Sequence, residues 1–381
     1  MVLLRRTLIA AALAGSLFAQ AEPVTPGAVA GHYANLVHAG YLDSIQSAKA
    51  MQTSIEAFLA APSEDTLKAA RQSWIAAREY YGQTEAFRFY GGPIDAEDGP
   101  EGRMNAWPMD EAYVDYVQGK PKAGLINNAK VKITREVLVA ANEKGGEENI
   151  STGWHAIEFL LWGQDLSADG PGARPASDFV DGGKPNAERR RTYLKIVTQL
   201  LVDDLESVAK AWEPNANNYR SKFVADDASI QKMLTGLGAL SRGELAGERM
   251  EVALASKSQE DEHSCFSDNT HRDIVNNAKG IQNVWEGHYK RADGSELSGP
   301  SLRELVAGKD AKVADKTSTD IANSLKLAEA IQPPFDREIL GKNSAPGRKR
   351  VRAVIDALKL QANDLVQAAK VLGIKNLNTK V

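Results

Sequence analysis

Cysteine is nearly absent from this sequence, which holds a single one, Cys265, among 381 residues. A disulfide within one chain is therefore excluded, and the fold has to be stabilised by hydrophobic burial. About 360 residues remain after the leader segment described below, which is enough for roughly two hydrophobic cores.

An excess of positive charge is also lacking. The chain has 46 Lys and Arg residues against 50 Asp and Glu residues, a net charge of −4. Proteins that bind nucleic acids need a basic face to contact phosphates, so this balance argues against a nucleic-acid partner. A mildly acidic chain is compatible with a cationic ligand.

Long apolar runs are confined to the N-terminus. Arg5 and Arg6 precede an apolar stretch at 8–19. Ala19-Gln20-Ala21 then matches a cleavage site, which predicts removal of residues 1–21 as a signal peptide. No cysteine follows that site to carry a lipid, and no later apolar run is long enough to span a membrane. We expect a soluble protein exported to a bacterial periplasm, either free or peripheral at the outer membrane.

The common catalytic motifs are missing as well. The chain has no His-Glu-x-x-His helix, no Gly-x-Ser-x-Gly elbow, no P-loop and no Gly-x-Gly-x-x-Gly turn. Cys265 could form a catalytic pair with His263 or His271, but an exported protein is an unfavourable setting for an enzyme with a thiol nucleophile.

Helical periodicity dominates the chain, and strand-like alternation is nearly absent, so we predict an all-α fold. Ser63, Asp227 and Ser267 are candidate N-caps. A break at 213–218 predicts two helical-bundle halves, 22–216 and 217–381, and leaves a diverged duplication open. The predicted helices are 26–60, 64–89, 108–118, 131–143, 153–163, 187–212, 228–256, 268–290, 300–308, 316–332 and 346–372.

The segment Gly153-Trp154-His155-Ala156-Ile157-Glu158 carries the most informative pattern. Residues three apart share a helix face, so His155 and Glu158 can point to one spot. Imidazole with carboxylate suits iron, zinc or manganese. The alternative is a surface pair or a core histidine with a hydrogen bond.

A carboxylate lies on an otherwise apolar helix stripe in the first half. Glu85 continues the spacing of Leu67, Ala70, Trp74, Ala77 and Tyr81. A buried carboxylate is costly unless it is paired or binds a cation. Glu85 is therefore a metal ligand, or it pairs with Arg78 or Arg88, or the stripe meets solvent at this position. Asp95 follows the apolar Ile94 and is the acid of its loop best placed to turn inward. Glu85 and Asp95 with His155 and Glu158 would form a hard site suited to iron or manganese.

The second half has its own dense run of potential ligands at 260–273. Asp268 and His271 stand three apart, with His263 and Asp273 nearby. The charged pair Glu248-Arg249 lies upstream among apolar residues. The alternative is the polar N-terminus of a helix, where acids are expected in any case.

Several separate segments together resemble the imelysin family, also called the M75 peptidase family, in its iron-regulated branch. Residues 153–163 resemble the family's Gly-x-His-x-x-Glu signature. Trp74 to Phe89 and Ile94-Asp95 resemble its first-half segments, and 247–250 and 262–271 resemble the iron-regulated branch. The likeness covers roughly residues 30–375.

This resemblance implies two helical bundles with a site near their interface, in an exported bacterial protein associated with iron. It also implies a metal site carried over to His155, Glu158, Glu85 and Asp95 from the related domain of periplasmic iron-uptake proteins. The 260–273 cluster has no such carry-over.

Three functions are compatible with the sequence. The first is a metal-binding protein that presents iron, or an iron complex, to a membrane-bound uptake partner, with zinc as the second choice of metal. The second is a metallopeptidase that cleaves exported polypeptides, although Ala156 stands where a zincin has its general base, and Glu85 would have to serve instead. The third is a haem-binding or adaptor protein with a vestigial site.

Overall fold

The computed structural model describes residues 23–380, so the predicted signal peptide at 1–21 lies outside the described residues. Almost all regular structure in residues 23–380 is helical, which confirms the all-α prediction. The α-helices are α1 (Pro26–Ala60), α2 (Glu64–Thr84), α3 (Glu101–Met104), α4 (Glu111–Val114), α5 (Gly124–Asn127), α6 (Arg135–Ala141), α7 (Gly153–Trp162), α8 (Ala187–Ala211), α9 (Tyr219–Val224), α10 (Ser229–Ala239), α11 (Val252–Ser256), α12 (Thr270–Glu286), α13 (Leu302–Ala307), α14 (Ala311–Ala328), α15 (Phe335–Ile339) and α16 (Pro346–Val371).

Other elements connect these helices. A π-helix, Leu240–Glu251, joins α10 to α11, and 3-10 turns occur at Glu85–Phe87, Ala176–Phe179 and Gln259–Asp261. Two short strands, β1 (His288–Lys290) and β2 (Glu296–Ser298), pair antiparallel.

The long helices form two packed groups. In the first group, α2 and α8 both pack against α1, and α7 packs against α2 and α8. In the second group, α12 and α16 pack against α14, and the π-helix packs against α16. Helix α2 lies against α12, so one contiguous hydrophobic core extends through both groups. The division of the chain at residue 216 and the duplication stay predictions.

The predicted helix boundaries need several corrections. The helix predicted at 64–89 ends at Thr84, and the chain then turns through a 3-10 segment to Phe89, whose φ is +71°. The helices predicted at 108–118 and 131–143 shrink to α4 and α6. The helix predicted at 268–290 ends at Glu286, because Gly287 takes the left-handed conformation that closes many helices.

Only one of the three predicted N-caps is confirmed. Ser63 caps α2 in a capping box with Thr66. Ala228 rather than Asp227 precedes α10, and Asn269 rather than Ser267 precedes α12. The Ser267 hydroxyl instead donates to the buried Glu158 carboxyl, an acceptor that the local sequence does not reveal.

Helix α7, which carries the Gly-x-His-x-x-Glu pattern, is buried at all of its ten residues. Its C-terminal carbonyls lie away from solvent and need donors. Arg71 donates to the Leu161 carbonyl over 2.8 and 3.0 Å, and the Arg174 amide donates to the Trp162 carbonyl over 2.7 Å. Side chains and backbone from outside the helix therefore fix α7 in the core.

Gly153 is required by the close approach of another backbone segment. Its φ is +85°, and a Cβ there would lie 2.5 Å from the Met104 carbonyl oxygen and 2.6 Å from that of Arg103. The neighbouring Thr152 hydroxyl donates to the same Arg103 carbonyl over 2.9 Å. The glycine of the pattern thus allows α7 to begin against residues 103–104, two positions before His155.

We predict that Gly153→Ala destabilises the protein by on the order of 4 kcal/mol, because a left-handed conformation and a backbone clash add together. Gly145→Ala is the matched control, since Gly145 has φ +86° but a Cβ at that position would meet only the Asn149 side chain, at 3.6 Å. That control should cost about 1–2 kcal/mol. Urea unfolding measures both values, and equal losses would contradict the role given to the 103–104 contact.

Candidate functional site

A cleft of about 530 Å³ opens above α7, between α3, the π-helix and the 259–263 segment. Its lining is mainly acidic, with two arginines and one histidine among the carboxylates. The charged residues of the lining are Glu101, Glu143, Glu147, Glu244, Glu248, Asp261, Arg88, Arg249 and His263. The cleft is therefore built to attract cations rather than anions.

The π-helix supplies part of this lining through its unusual geometry. Its hydrogen bonds run from residue i to i+5, so residues five apart lie one turn apart. Glu244 and Arg249 have this spacing, and the Arg249 Nε donates to Glu244 Oε1 over 2.9 Å. Long π-helices are rare, and short ones occur often at functional sites.

His155 and Glu158 contact each other beneath the cleft, with both side chains 0% exposed. His155 Nδ1 lies 2.8 Å from Glu158 Oε2, and Glu158 Oε1 accepts from the Ser267 amide and hydroxyl over 2.9 and 2.6 Å. Burial raises the pKa of Glu158 to about 8 and, together with His263, lowers the pKa of His155. Near pH 7 the contact is therefore a hydrogen bond within a neutral pair.

A second histidine lies against the first. The rings of His263 and His155 meet edge to face with centroids 4.8 Å apart, and Trp107 packs on the other side of His155 at 4.9 Å. His263 Nδ1 lies 3.4 Å from Asp273 Oδ2. Burial and the nearby Arg249 lower the pKa of His263 to about 4, so its imidazole is neutral near pH 7.

The two histidines share one further property. The Nε2 atoms of His155 and His263 are both buried, and neither has a hydrogen-bond partner among the described residues. A buried nitrogen without a partner is uncommon in a folded protein. Each imidazole therefore has its Nδ1 near a carboxyl group and a buried Nε2 without a partner among the described residues.

Glu85 is the centre of a buried ionic network beside these histidines. Its Oε2 accepts from Arg88 over 2.9 Å and from Arg249 over 2.7 Å, and its Oε1 accepts from Asn105 over 3.3 Å. Burial alone would raise the pKa of this carboxyl, but the two guanidinium groups outweigh it and lower the pKa to about 2. Arg88 also pairs with Glu101 over 2.9 Å.

Arg78 connects this network to α12. Its guanidinium donates to Asp273 over 3.2 Å and to Asn105 over 2.7 Å, and it lies over the rings of Trp74, Tyr81 and Trp154. Asp273 also accepts from the Ser264 hydroxyl, and Arg78 holds the Asp273 pKa well below its usual range despite burial. Both helix groups thus contribute to one charged layer.

The structure brings together most of the residues that the sequence singled out. Glu85, Arg88 and Arg249 form the ionic network, and Glu158 and Asp273 each face one of the two histidines. The predicted ligands His155, Glu158, Glu85 and Asp95 do not meet in one group. Within residues 23–380, a single group of three or more residues has candidate ligand atoms that all lie within 4.8 Å of one another, and it contains none of these four. That ligand set stays a prediction.

The remaining predicted residues lie elsewhere. Asp95 accepts from the amides of Phe89 and Gly92 and so closes its own loop. His271 Nδ1 contacts the Asp268 carbonyl over 3.1 Å at the start of α12, and Glu248 is exposed at the rim of the cleft.

Sequence reasoning missed Asn105, Trp107 and Glu244 as contributors to the site. No periodicity marks the first two, which lie in an irregular segment. Arg78 was weighed only as a partner of Glu85, although its position four residues after Trp74 and three before Tyr81 places it near the apolar stripe of α2.

We predict that Glu85→Gln destabilises the protein by about 3–5 kcal/mol near neutral pH, because two buried guanidinium groups lose their counter-charge. Glu79→Gln is the matched control. Glu79 of α2 pairs with Arg272 of α12, but its side chain is 32% exposed. Removing this ion pair should therefore cost no more than about 1 kcal/mol.

The loss of stability in Glu85→Gln should depend on pH. The Glu85 pKa is depressed, so its contribution is complete above about 4.5 and is lost as the pH falls towards about 2. The stability difference between wild type and Glu85→Gln should therefore shrink as the pH falls from about 4.5 to about 2 in urea unfolding. A difference that stays constant would contradict the ionised state assigned to Glu85.

Comparison with known proteins identifies the family. The imelysin family (peptidase M75) matches residues 37–365. The chain is 27% identical to iron-regulated protein A of Synechococcus elongatus, over 96% of this chain and 95% of that protein. Two solved structures, each 16% identical in sequence, share the fold. An iron-regulated protein A precursor from Parabacteroides distasonis has a TM-score of 0.67, and the match covers 91% of this chain and 96% of that one. An imelysin-like protein from Psychrobacter arcticum has a TM-score of 0.64, and the match covers 94% of this chain and 99% of that one. This chain belongs to the imelysin family.

Proposed function

We propose that this protein is an exported metal-binding protein of bacterial iron acquisition, which binds iron or a small iron complex in the cleft and presents it to a membrane-bound partner. The family supports an iron-related role, as does the similarity to a relative named iron-regulated protein A. None of the helices in residues 23–380 has both the length and the apolar character needed to cross a membrane.

The observation that carries this proposal is the pair of buried, unpartnered Nε2 atoms on His155 and His263. Metal-binding histidines commonly place one ring nitrogen on the metal and the other on a carboxylate, which fixes the orientation of the ring. Glu158 and Asp273 occupy the second position for the two histidines here. The donor set fits a metal that accepts imidazole, as iron and zinc both do.

This geometry changes the role expected for two of the predicted ligands. Both Glu158 oxygens are engaged, by His155 and by Ser267, so Glu158 is proposed to position His155 rather than to bind the metal. Glu85 is held by two arginines. The acids of the cleft, Glu101 and Glu244 among them, are better placed to supply oxygen ligands or to attract the cation.

The same contacts favour binding over peptide hydrolysis. A metallopeptidase needs a general base within reach of a metal-bound water. Glu158 is 0% exposed, and Glu85 is ionised within its pair of arginines, with a pKa of about 2. Glu158 therefore lacks a face that a bound water could reach, and Glu85 lacks the near-neutral pKa that a general base uses.

We predict that native, untagged protein carries close to one iron per chain and that His155→Gln and His263→Gln each lower this occupancy by at least about tenfold. Elemental mass spectrometry of the purified protein measures it. His271→Gln is the control, because His271 Nδ1 contacts the Asp268 backbone carbonyl and His271 Nε2 is not one of the buried nitrogens without a partner. Glu158→Gln should lower the affinity for iron by about 10–100-fold, because Glu158 is proposed to orient the His155 ring.

Other outcomes of this experiment point to the other functions. Stoichiometric zinc with chelator-sensitive cleavage of an unfolded substrate would support a metallopeptidase. Haem instead of free metal, or metal occupancy that is unchanged in both histidine variants, would overturn the proposed site.

A further inference from the structure

Three aspartates from distant parts of the chain meet at a place that does not belong to the lining of the acidic cleft. Asp165 follows α7, Asp268 precedes α12, and Asp336 lies in α15. One carboxylate oxygen of each lies within 4.8 Å of the others. Asp165 and Asp336 are 2% and 3% exposed, and Asp268 is partly buried.

These carboxylates have buried oxygens with no partner. Both oxygens of Asp336, one of Asp165 and one of Asp268 lack a hydrogen-bond partner among the described residues. Glu262, which is 0% exposed, leaves both of its oxygens unpartnered beside Asp268 and Asp336. In residues 23–380, none of the four forms a salt bridge with Lys, Arg or His. Buried carboxylates without hydrogen bonds or counter-charges are costly, so this cluster requires compensation.

The electrostatics of the cluster fit that conclusion. Burial and the neighbouring carboxylates raise the pKa of Asp268 to about 8 and that of Asp165 to about 6, and they raise the pKa of Glu262 strongly. These directions are those expected of carboxylates that lie close together away from water.

We propose that Asp165, Asp268 and Asp336 bind a hard divalent cation of the Ca²⁺ class, with Glu262 adding charge beside it. Carboxylate oxygens alone suit Ca²⁺, Mg²⁺ or Mn²⁺ better than metals that prefer nitrogen or sulfur. This site is distinct from the cleft, because none of the three aspartates lines the cleft, and it does not depend on the proposed iron function.

The cation would join three segments that carry the functional site. Asp268 holds a left-handed conformation, with φ +57°, one residue after Ser267, which binds Glu158. The 165–172 and 259–268 segments already contact each other, because the Gly172 amide donates to the Phe266 carbonyl over 2.9 Å. A cation across Asp165 and Asp268 would strengthen this junction and hold Ser267 in place.

The test uses the full-length mature protein after treatment with a chelator. Isothermal titration with CaCl₂, and separately with MgCl₂ and MnCl₂, should show one site per chain, and the bound cation should raise the melting temperature. Asp336→Asn should weaken binding by at least about tenfold. Asp169→Asn is the control, since Asp169 lies in the same loop as Asp165 but is exposed and pairs with Arg337, so its affinity should match wild type.

Two further variants keep the result decisive. Asp165→Asn removes a ligand from a different segment and should weaken binding as Asp336→Asn does, with an unchanged circular dichroism spectrum. His155→Gln should retain the site in full. Absence of binding by all three cations up to about 10 mM would overturn the proposal, since weak extracellular Ca²⁺ sites fall within that range. Loss of binding in His155→Gln would overturn it too, because the cation would then lie in the cleft.

Discussion

The buried ionic network around Glu85 is the interaction on which the rest of this structure depends. It brings a carboxylate from the end of α2, Arg249 from the π-helix, and, through Asn105 and Arg78, Asp273 from α12 into one layer. A buried charge without its partner is strongly destabilising, so the two helix groups cannot separate here without exposing these charges to water or leaving them unpaired. The layer therefore fixes the relative position of α7, which carries His155, and of the segment before α12, which carries His263.

That constraint explains how the candidate site is organised. His155 comes from α7 and His263 from the segment before α12, yet their rings lie in contact because the network and the aromatic rings of Trp107 and Phe266 hold both segments in place. Each imidazole is oriented through Nδ1, and the Nε2 atoms stay available. The acidic cleft above them supplies the electrostatic attraction for a cation. Orientation, availability and charge are the three conditions that a metal site requires.

The sequence predicted those parts of the structure that arise from local periodicity. The stripe from Leu67 to Tyr81 is buried as expected, and Glu85 at its end is buried too. The pairing of Glu85 with Arg88 is one of the alternatives that the sequence leaves open, and Arg249 stands out in the sequence as a charged residue among apolar neighbours. His155 and Glu158 do share a face of α7, since their spacing is that of one helical turn.

What the sequence could not show arises from long-range packing. A π-helix and an α-helix have similar composition, so the alignment of Glu244 with Arg249 is invisible to a 3.6-residue period. Ser267 resembles a helix cap, but a buried carboxyl more than a hundred positions away accepts its hydrogen bonds. The meeting of Asp165, Asp268 and Asp336 depends on how two connecting segments and α15 pack together, which no local pattern encodes.

The most direct test of the central claim is the position of iron in crystals of the iron-loaded protein, measured by anomalous diffraction at the iron absorption edge. We expect one strong peak within bonding distance of Nε2 of His155 and of His263, with Glu158 still bound to His155 Nδ1. A peak at Glu85 and Asp95, or no peak in the cleft of fully loaded protein, would contradict the proposed site.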